Sequence, residues 1–285
     1  MKSFKLFAAA AVALTVGVHL CPAVAHDGAP NISVFSHVVR RIANERKVPF
    51  EVAAEMLYAL GVHGVDVNGK GKGDDLAALA STKIKPINFY VFLDAPGADG
   101  GAAECRTILD KAEKYGVPRC MLIPPSFTKG GDQEAEFARM LAQLKMIVAE
   151  AKKRGITITV EDFGGTNNPC SYLKYLKRFL DEIPDLRLAL DSGNLYYAGR
   201  GDDILELMAY AKGRIAHVHL KDQKPDNARK YETLGLGAVP NREIVRTVSA
   251  DGYAGWYTLE NLVGADTYED VVRQVAVLKS WLSGK

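Results

Sequence analysis

Four short segments in the second half of the chain each close an apolar run with a group able to bind a cation or move a proton. Thr157-Ile158-Thr159-Val160 leads into Glu161-Asp162, Leu188-Ala189-Leu190 into Asp191-Ser192-Gly193-Asn194, His217-Val218-His219-Leu220 into Lys221-Asp222, and Tyr257-Thr258-Leu259 into Glu260-Asn261. Burial energetics does not put an acid at the end of an apolar strand, because a charge inside a protein is costly unless it is paired or bound to metal. One such acid is commonly a helix N-cap or a loop salt bridge. Ordered recurrence at four successive ends is the informative signal. If those ends share one rim, three carboxylates and an imidazole surround a point. Such a set suits Mn²⁺, Mg²⁺ or Co²⁺, with Zn²⁺ possible, because oxygen ligands dominate.

Groups placed in this way need strands to deliver them and helices to back the strands. Short apolar runs at Ile32–Phe35, Gly64–Val67, Ile87–Leu93, Arg119–Ile123, Ile156–Glu161, Arg187–Asp191, Ile215–Leu220 and Trp256–Glu260 predict eight strands. Their starts fall about 25 to 40 residues apart, the length of a strand, a helix and two loops. Between them the apolar period lengthens. From Asp132 to Lys153, residues Phe137, Met140, Leu141, Leu144, Ile147 and Val148 recur at three- and four-residue steps, which predicts a helix stopped by Gly155. Further helices are expected to end at Gly116 and before Pro184. No glycine-rich phosphate loop follows the first strand, which disfavours an open dinucleotide-binding sheet. The expected fold is therefore α/β, a single (β/α)₈ TIM barrel, whose rim of strand ends is where such barrels carry their chemistry.

That barrel is expected to fill residues 26–285. Before it, Lys2 and Lys5, the alanine-rich apolar run Leu6 to Val18, and Ala23-Val24-Ala25 form the three regions of a cleavable signal peptide over residues 1–25. Leu20 stands where a lipoprotein signal ahead of Cys21 needs a small residue. A periplasmic or secreted protein is expected, with no later segment apolar enough to hold it in a membrane. Once the two signal lysines are removed, basic and acidic residues balance, which leaves no footprint for nucleic acid. Cys120 lies inside an apolar strand run, while Cys105 and Cys170 could pair in an oxidising compartment.

The segments VEDFGG, LALDSGN, HVHLKD and YTLEN, in this order and spacing, resemble the xylose isomerase-like barrels. That superfamily includes tagatose and psicose epimerases, hydroxypyruvate and inosose enzymes, and apurinic endonucleases. The resemblance runs from NISVFS near the first strand to the final helix. It implies one divalent metal ion held by Glu161, Asp191, His219 and Glu260, the second histidine of the H-x-H pair being the one that matches. His217, two residues earlier, faces the same side one layer deeper. There it either contacts substrate or is a satisfied barrel histidine. The resemblance also makes Glu161 and Glu260 the catalytic pair, removing and returning a proton beside a sugar carbonyl that the metal polarises. Return to the opposite face is epimerisation, and return to the neighbouring carbon is isomerisation. Loss of a β-substituent instead makes a lyase. A 3-keto-glycoside suits that step, since its ketone acidifies C2–H beside a leaving group on C1. Export favours an unphosphorylated carbohydrate, because sugar phosphates are cytoplasmic metabolites.

Two positions depart from the epimerase-like members. Asn194 stands three residues after Asp191 where they carry a histidine, and an amide hydrogen-bonds a hydroxyl but does not take up a proton. Gln223-Lys224-Pro225-Asp226, after the seventh strand, lacks their arginine. Lys221, in an H-x-K-D sequence shared with other members, is a candidate for contact with a substrate oxygen. So are Asn194, Asp66 at the end of the second strand, and His37 behind the first. Leu234-Gly235-Leu236-Gly237 resembles the family's glycine loop, which binds phosphate or only turns the chain. A three-zinc endonuclease would need more histidines than the six present. A non-catalytic sugar-binding protein would require all four strand-end ligands to be vestigial.

Overall fold

Alternate residues of a barrel strand point inward to the barrel and outward to the helices, and this chain gives the two sides different chemistry. The computed structural model describes residues 30–283, so the signal peptide expected at 1–25 lies outside the described residues. The strands are β1 (Ile32–Phe35), β2 (Val62–Asn68), β3 (Lys85–Phe92), β4 (Arg119–Ile123), β5 (Thr157–Glu161), β6 (Arg187–Asp191), β7 (Ile215–Leu220), a short antiparallel pair β8 (Asp222–Lys224) and β9 (Asn227–Glu232), and β10 (Tyr257–Leu259). All but β8 and β9 close into one parallel barrel, in which β10 pairs with both β1 and β7. The expected single (β/α)₈ barrel is what the chain forms.

Outward-facing Ile32, Val34, Val65, Phe89, Leu122, Val160, Leu190 and Val218 are buried in one continuous core with the surrounding helices. Inward-facing Ser33, Asp66, Asn88, Thr159, His217 and Thr258 are just as buried and all polar. The helices hold the reactive strands from behind. Asp132 caps the helix Gln133–Lys153 by accepting from Glu134 N (3.1 Å) and Ala135 N (3.0 Å), and Gly155 (φ 69°) turns the chain after it. Its Phe137 stacks on Tyr175 (4.8 Å) and packs on Phe179 (4.6 Å) of the helix Leu173–Glu182. Those two helices lie behind β5 and β6, and truncating a fully buried aromatic such as Phe137 to Ala costs about 3–5 kcal/mol.

β2 begins two residues earlier than expected and runs past Asp66 to Asn68, so Asp66 is inside the strand and not at its end. The β8–β9 pair was not expected. Its second strand, Asn-Ala-Arg-Lys-Tyr-Glu, is largely exposed and has no apolar alternation to announce it. Cys105, Cys120 and Cys170 are all free and buried, so Cys105 and Cys170 do not pair. Among the described residues no helix is long and apolar enough to cross a membrane.

Candidate metal centre at the barrel mouth

β5, β6, β7 and β10 are successive neighbours in the closed sheet, so their C-terminal ends bring Glu161, Asp191, His219 and Glu260 to one place. One ligand atom from each lies within 4.8 Å of all the others. Opposed ligands of a single cation, at bond lengths of about 2.0–2.2 Å, stand about 4 Å apart, so small side-chain movements bring these four into range. Glu260 lies one residue beyond β10, yet its N–H donates to Leu220 O (3.1 Å) and extends the ladder. Asp191 is aimed by its own turn. Its Oδ1 accepts from Gly193 N and Asn194 N, both at 2.8 Å, which leaves Oδ2 facing the cluster. Asp162 Oδ1 in turn accepts from Asp191 N (2.7 Å).

Three carboxylates in this space are opposed by one imidazole and one ammonium. His219 Nδ1 lies 2.7 Å from Glu161 Oε1 and 3.6 Å from Glu260 Oε2. Lys221 Nζ lies 2.7 Å from Glu260 Oε1, 2.9 Å from Asp191 Oδ2 and 3.2 Å from Asn194 Oδ1. Burial pushes the Asp191 carboxyl well above its ordinary range, and neighbouring Glu260 and Glu161 add to the push against Lys221. Burial alone would raise Glu260 too, but Lys221 and His219 hold it below the usual range. Burial works against the Lys221 ammonium, yet Asp191, Glu260 and Glu161 together keep it firmly protonated. Glu260 Oε2 is buried without a hydrogen-bond partner. An orphaned carboxylate oxygen, a neighbouring acid driven toward its protonated form and an oxygen-rich donor set together fit a divalent cation.

One layer below, Asp66 ties the two histidines together. Its Oδ2 accepts from Asn88 Nδ2 (2.7 Å) and lies 3.0 Å from His217 Nε2 and 3.2 Å from His219 Nε2, while Oδ1 accepts from Thr258 Oγ1 (3.2 Å). The atoms of Asp66, His217 and His219 are also close enough to hold a cation. However, this carboxylate already has four partners, and His217 is further engaged by Thr258 Oγ1 (2.9 Å) and Arg119 Nη1 (3.3 Å). Burial drives His217 down to about 4, so its ring is neutral. The expectation that Asp66 lines the mouth is therefore corrected: it is fully buried, because β2 continues above it. Of the two roles open to His217, substrate contact falls, since the ring has no exposed surface, and the satisfied barrel histidine stands. What Asp66 does is orient His219. By engaging Nε2 it leaves Nδ1 for the cluster above, the arrangement in which an acid behind a ligating histidine fixes its tautomer.

Above the cluster opens a cavity of about 420 Å³. Glu161 and Glu260 line it, as do Lys221, Asn194 and His37. Asn194 is more than a liner: its Nδ2 donates to Asp162 O (2.8 Å) while its Oδ1 accepts from Lys221. This amide thus ties Lys221 to the backbone just past β5. The Leu234-Gly235-Leu236-Gly237 turn is not a phosphate cradle. The N–H groups of Gly235 and Gly237 donate to Asp222 Oδ2 (2.9 and 3.0 Å), and that of Val239 to Oδ1 (3.0 Å). Gly235 sits at φ 88°, and a β-carbon on Gly237 would strike Asp222. The acid of H-x-K-D thus pins the glycine loop, a role with no sequence cue beyond their shared resemblance. Sequence reasoning also missed the cavity's aromatic lining: Phe35, Tyr90, Phe92, Phe163, Tyr197 and Tyr231. The first three face inward on strands already identified, so strand parity could have found them. Tyr231 lies on the unforeseen β9.

The xylose isomerase-like TIM barrel family model matches residues 56–280, most of the chain. The chain belongs to that family. Two curated relatives of this xylose isomerase-like barrel are inosose dehydratases. The one from Geobacillus thermodenitrificans is 24% identical over 145 residues, 45% of this chain and 47% of the relative. The one from Clostridium perfringens is 25% identical over 185 residues, 62% and 57%. The chain thus spans about half the length of the curated relatives it matches. Among solved structures, an L-ribulose 3-epimerase superposes with TM-score 0.71 at 15% identity, covering 90% of this chain and 95% of the epimerase. The IOLI protein with a bound zinc atom superposes with TM-score 0.69 at 14% identity, covering 88% and 96%. At these identities the structural likeness speaks for the barrel alone.

Proposed function

We propose that this protein is a divalent-metal-dependent enzyme that removes a proton α to a carbonyl of an unphosphorylated sugar or sugar-like ring. The observation that carries this reading is the meeting of Glu161, Asp191, His219 and Glu260 in one cluster, from which Glu161 and Glu260 face an open cavity. These four would hold the cation, which when bound polarises the substrate carbonyl and stabilises the negative charge that develops as the proton leaves. The protein's own groups do the rest. Glu161 and Glu260 enter from β5 and from the end of β10, three strands apart, and so can address different faces of one carbon as base and acid. Lys221, shared between Asp191, Glu260 and Asn194, would place its positive charge beside a substrate oxygen bound next to Glu260, exchanging one of these three partners for it. Among the described residues it is the only lysine or arginine lining the cavity, and its charge is already matched, which supports a substrate without phosphate. Mn²⁺, Mg²⁺ and Co²⁺ suit the donor set, and Zn²⁺ is compatible with it. The N-terminal pattern of residues 1–25 further supports export of the mature chain to the periplasm or the medium.

Proton return would make the enzyme an epimerase or isomerase. A second reading, elimination, is favoured by the Lys221 ammonium, 2.7 Å from Glu260, whose fixed positive charge would stabilise a departing oxygen anion. The names of the inosose dehydratase relatives support it as well. Incubation of the metal-loaded protein with free sugars, glycosides and 3-keto-glycosides in deuterated water separates these outcomes. Deuterium at an inverted carbon marks epimerisation, deuterium at the neighbouring carbon isomerisation, and an unsaturated product elimination. Absence of any exchange across the panel, with metal bound, would leave only a sugar-binding role.

A further inference from the structure

The cavity has two unlike halves, and the catalytic reading uses one of them. Glu161, Glu260, Lys221 and Asn194 supply donors and acceptors on the side of β5 to β10. On the side of β3 to β5, the lining is Tyr90, Phe92, Met121, Ile123 and Phe163, with Gly164 and Gly165 just past β5. Met121, Ile123 and Ala189 form an apolar cluster of their own, separate from the main core, with Tyr90 and Phe163 packed against it. Phe92 stands edge-on to Phe163 at 5.9 Å between ring centroids and leaves 53% of its surface exposed. A large aromatic left that open at a cavity mouth, continuous with a small buried apolar cluster, gives the cavity an apolar wall of the kind that lines ligand pockets.

We propose that this wall is a subsite for an aromatic aglycone, so that the substrate is an aryl glycoside and not a free sugar. The inference rests on the reading above, in which the sugar ring lies over the four strand-end ligands. A ring attached to the anomeric carbon and pointing toward β3 would lie against Phe92 and Phe163, in the stacked or edge-to-face contacts that aromatic pairs prefer. A second sugar ring is the poorer occupant, because apart from the Tyr90 hydroxyl this wall offers its hydroxyls no side-chain partner. If the sugar carries a 3-ketone, elimination balances without any further reagent. One glutamate takes the C2 proton, the C–H electron pair becomes the C1–C2 double bond as the C1–O bond breaks, and the aryl oxygen leaves as a phenolate, which takes a proton from solvent while the glutamic acid returns one to it.

Titration calorimetry on the metal-loaded full chain, with 4-nitrophenyl, methyl and glucosyl β-glucosides and their 3-keto forms, tests this. Expected is binding of the aryl compounds about tenfold tighter than the methyl ones, equivalent to about 1.4 kcal/mol. Phe92→Ala and Phe163→Ala should each remove most of that advantage and leave the methyl glycosides within about twofold of wild type. Equal affinity for aryl and methyl compounds overturns the proposal, as does a glucosyl compound binding as tightly as the aryl one. Loss of affinity for all three alike in the variants overturns it too. Turnover of methyl 3-keto-glucoside without an aryl preference would sink the subsite and spare the catalytic reading. An aryl preference without turnover of any keto form would do the reverse.

Discussion

Two clusters of acid and imidazole meet at His219, one on each ring nitrogen, and they differ in how fully their polar atoms are satisfied. On the inner side, Asp66 has partners on both oxygens, from Asn88, His217, His219 and Thr258, and nothing in that layer reaches solvent. On the outer side, Glu161, Asp191 and Glu260 crowd together, Asp191 is driven toward its protonated form, and Glu260 Oε2 has no hydrogen-bond partner. The same residue types therefore build a closed structural network and an open, charge-frustrated one a single layer apart. Burial alone does not make a site. What separates the outer cluster is unsatisfied charge facing a cavity, which a cation and a substrate would relieve.

If that contrast is right, changes on the outer side should strike chemistry first and changes on the inner side should act through position. The largest effect is expected from Glu161→Gln and Glu260→Gln, each lowering kcat by about 10²–10⁴-fold on whichever substrate the deuterium panel identifies. Near-normal turnover in either variant would remove that glutamate from the catalytic pair. Asp66→Asn should weaken metal affinity by about 10–100-fold through the loss of His219's anchor. Because it also unsettles a buried network, it should lower unfolding stability by about 1–3 kcal/mol. Metal titration beside chemical denaturation tells the two apart, and unchanged affinity would mean that His219 does not depend on its inner partner.

Lys221→Met should leave the metal content intact while lowering turnover by about tenfold or more, measured by elemental analysis and steady-state kinetics together. Loss of metal in this variant would make the lysine part of the cage and not of the chemistry. The smallest effect should come from thiol reduction. Because all three described cysteines are free and buried, dithiothreitol is expected to leave the thermal midpoint unchanged. A drop of several degrees would reveal a bridge.

The outer cluster was legible in the sequence because period-two strands announce their ends and an acid at an apolar strand end has few other reasons to be there. Glu161, Asp191 and Glu260 came together for that reason, while the choice of His219 over His217 came from the family resemblance. The inner network was not legible. Asp66 was read as a strand terminus, since the apolar run around it stops at Val67, whereas pairing to β3 carries the strand on to Asn68. His217 and His219 look alike in sequence and are equally buried, and only the layer in which each lies tells the ring enclosed in the inner network from the one that reaches the outer cluster. The β8–β9 pair escaped because its polar, solvent-facing residues carry no burial pattern. With it escaped Tyr231, and with it the extent of the aromatic lining.

The most direct test is the number of divalent cations retained per chain after mild dialysis, measured by elemental analysis for the wild type and for Asp191→Asn. The account predicts one cation in the wild type and a clear loss in the variant. No bound cation in the wild type, or three zinc ions, or equal retention in both proteins, would contradict it.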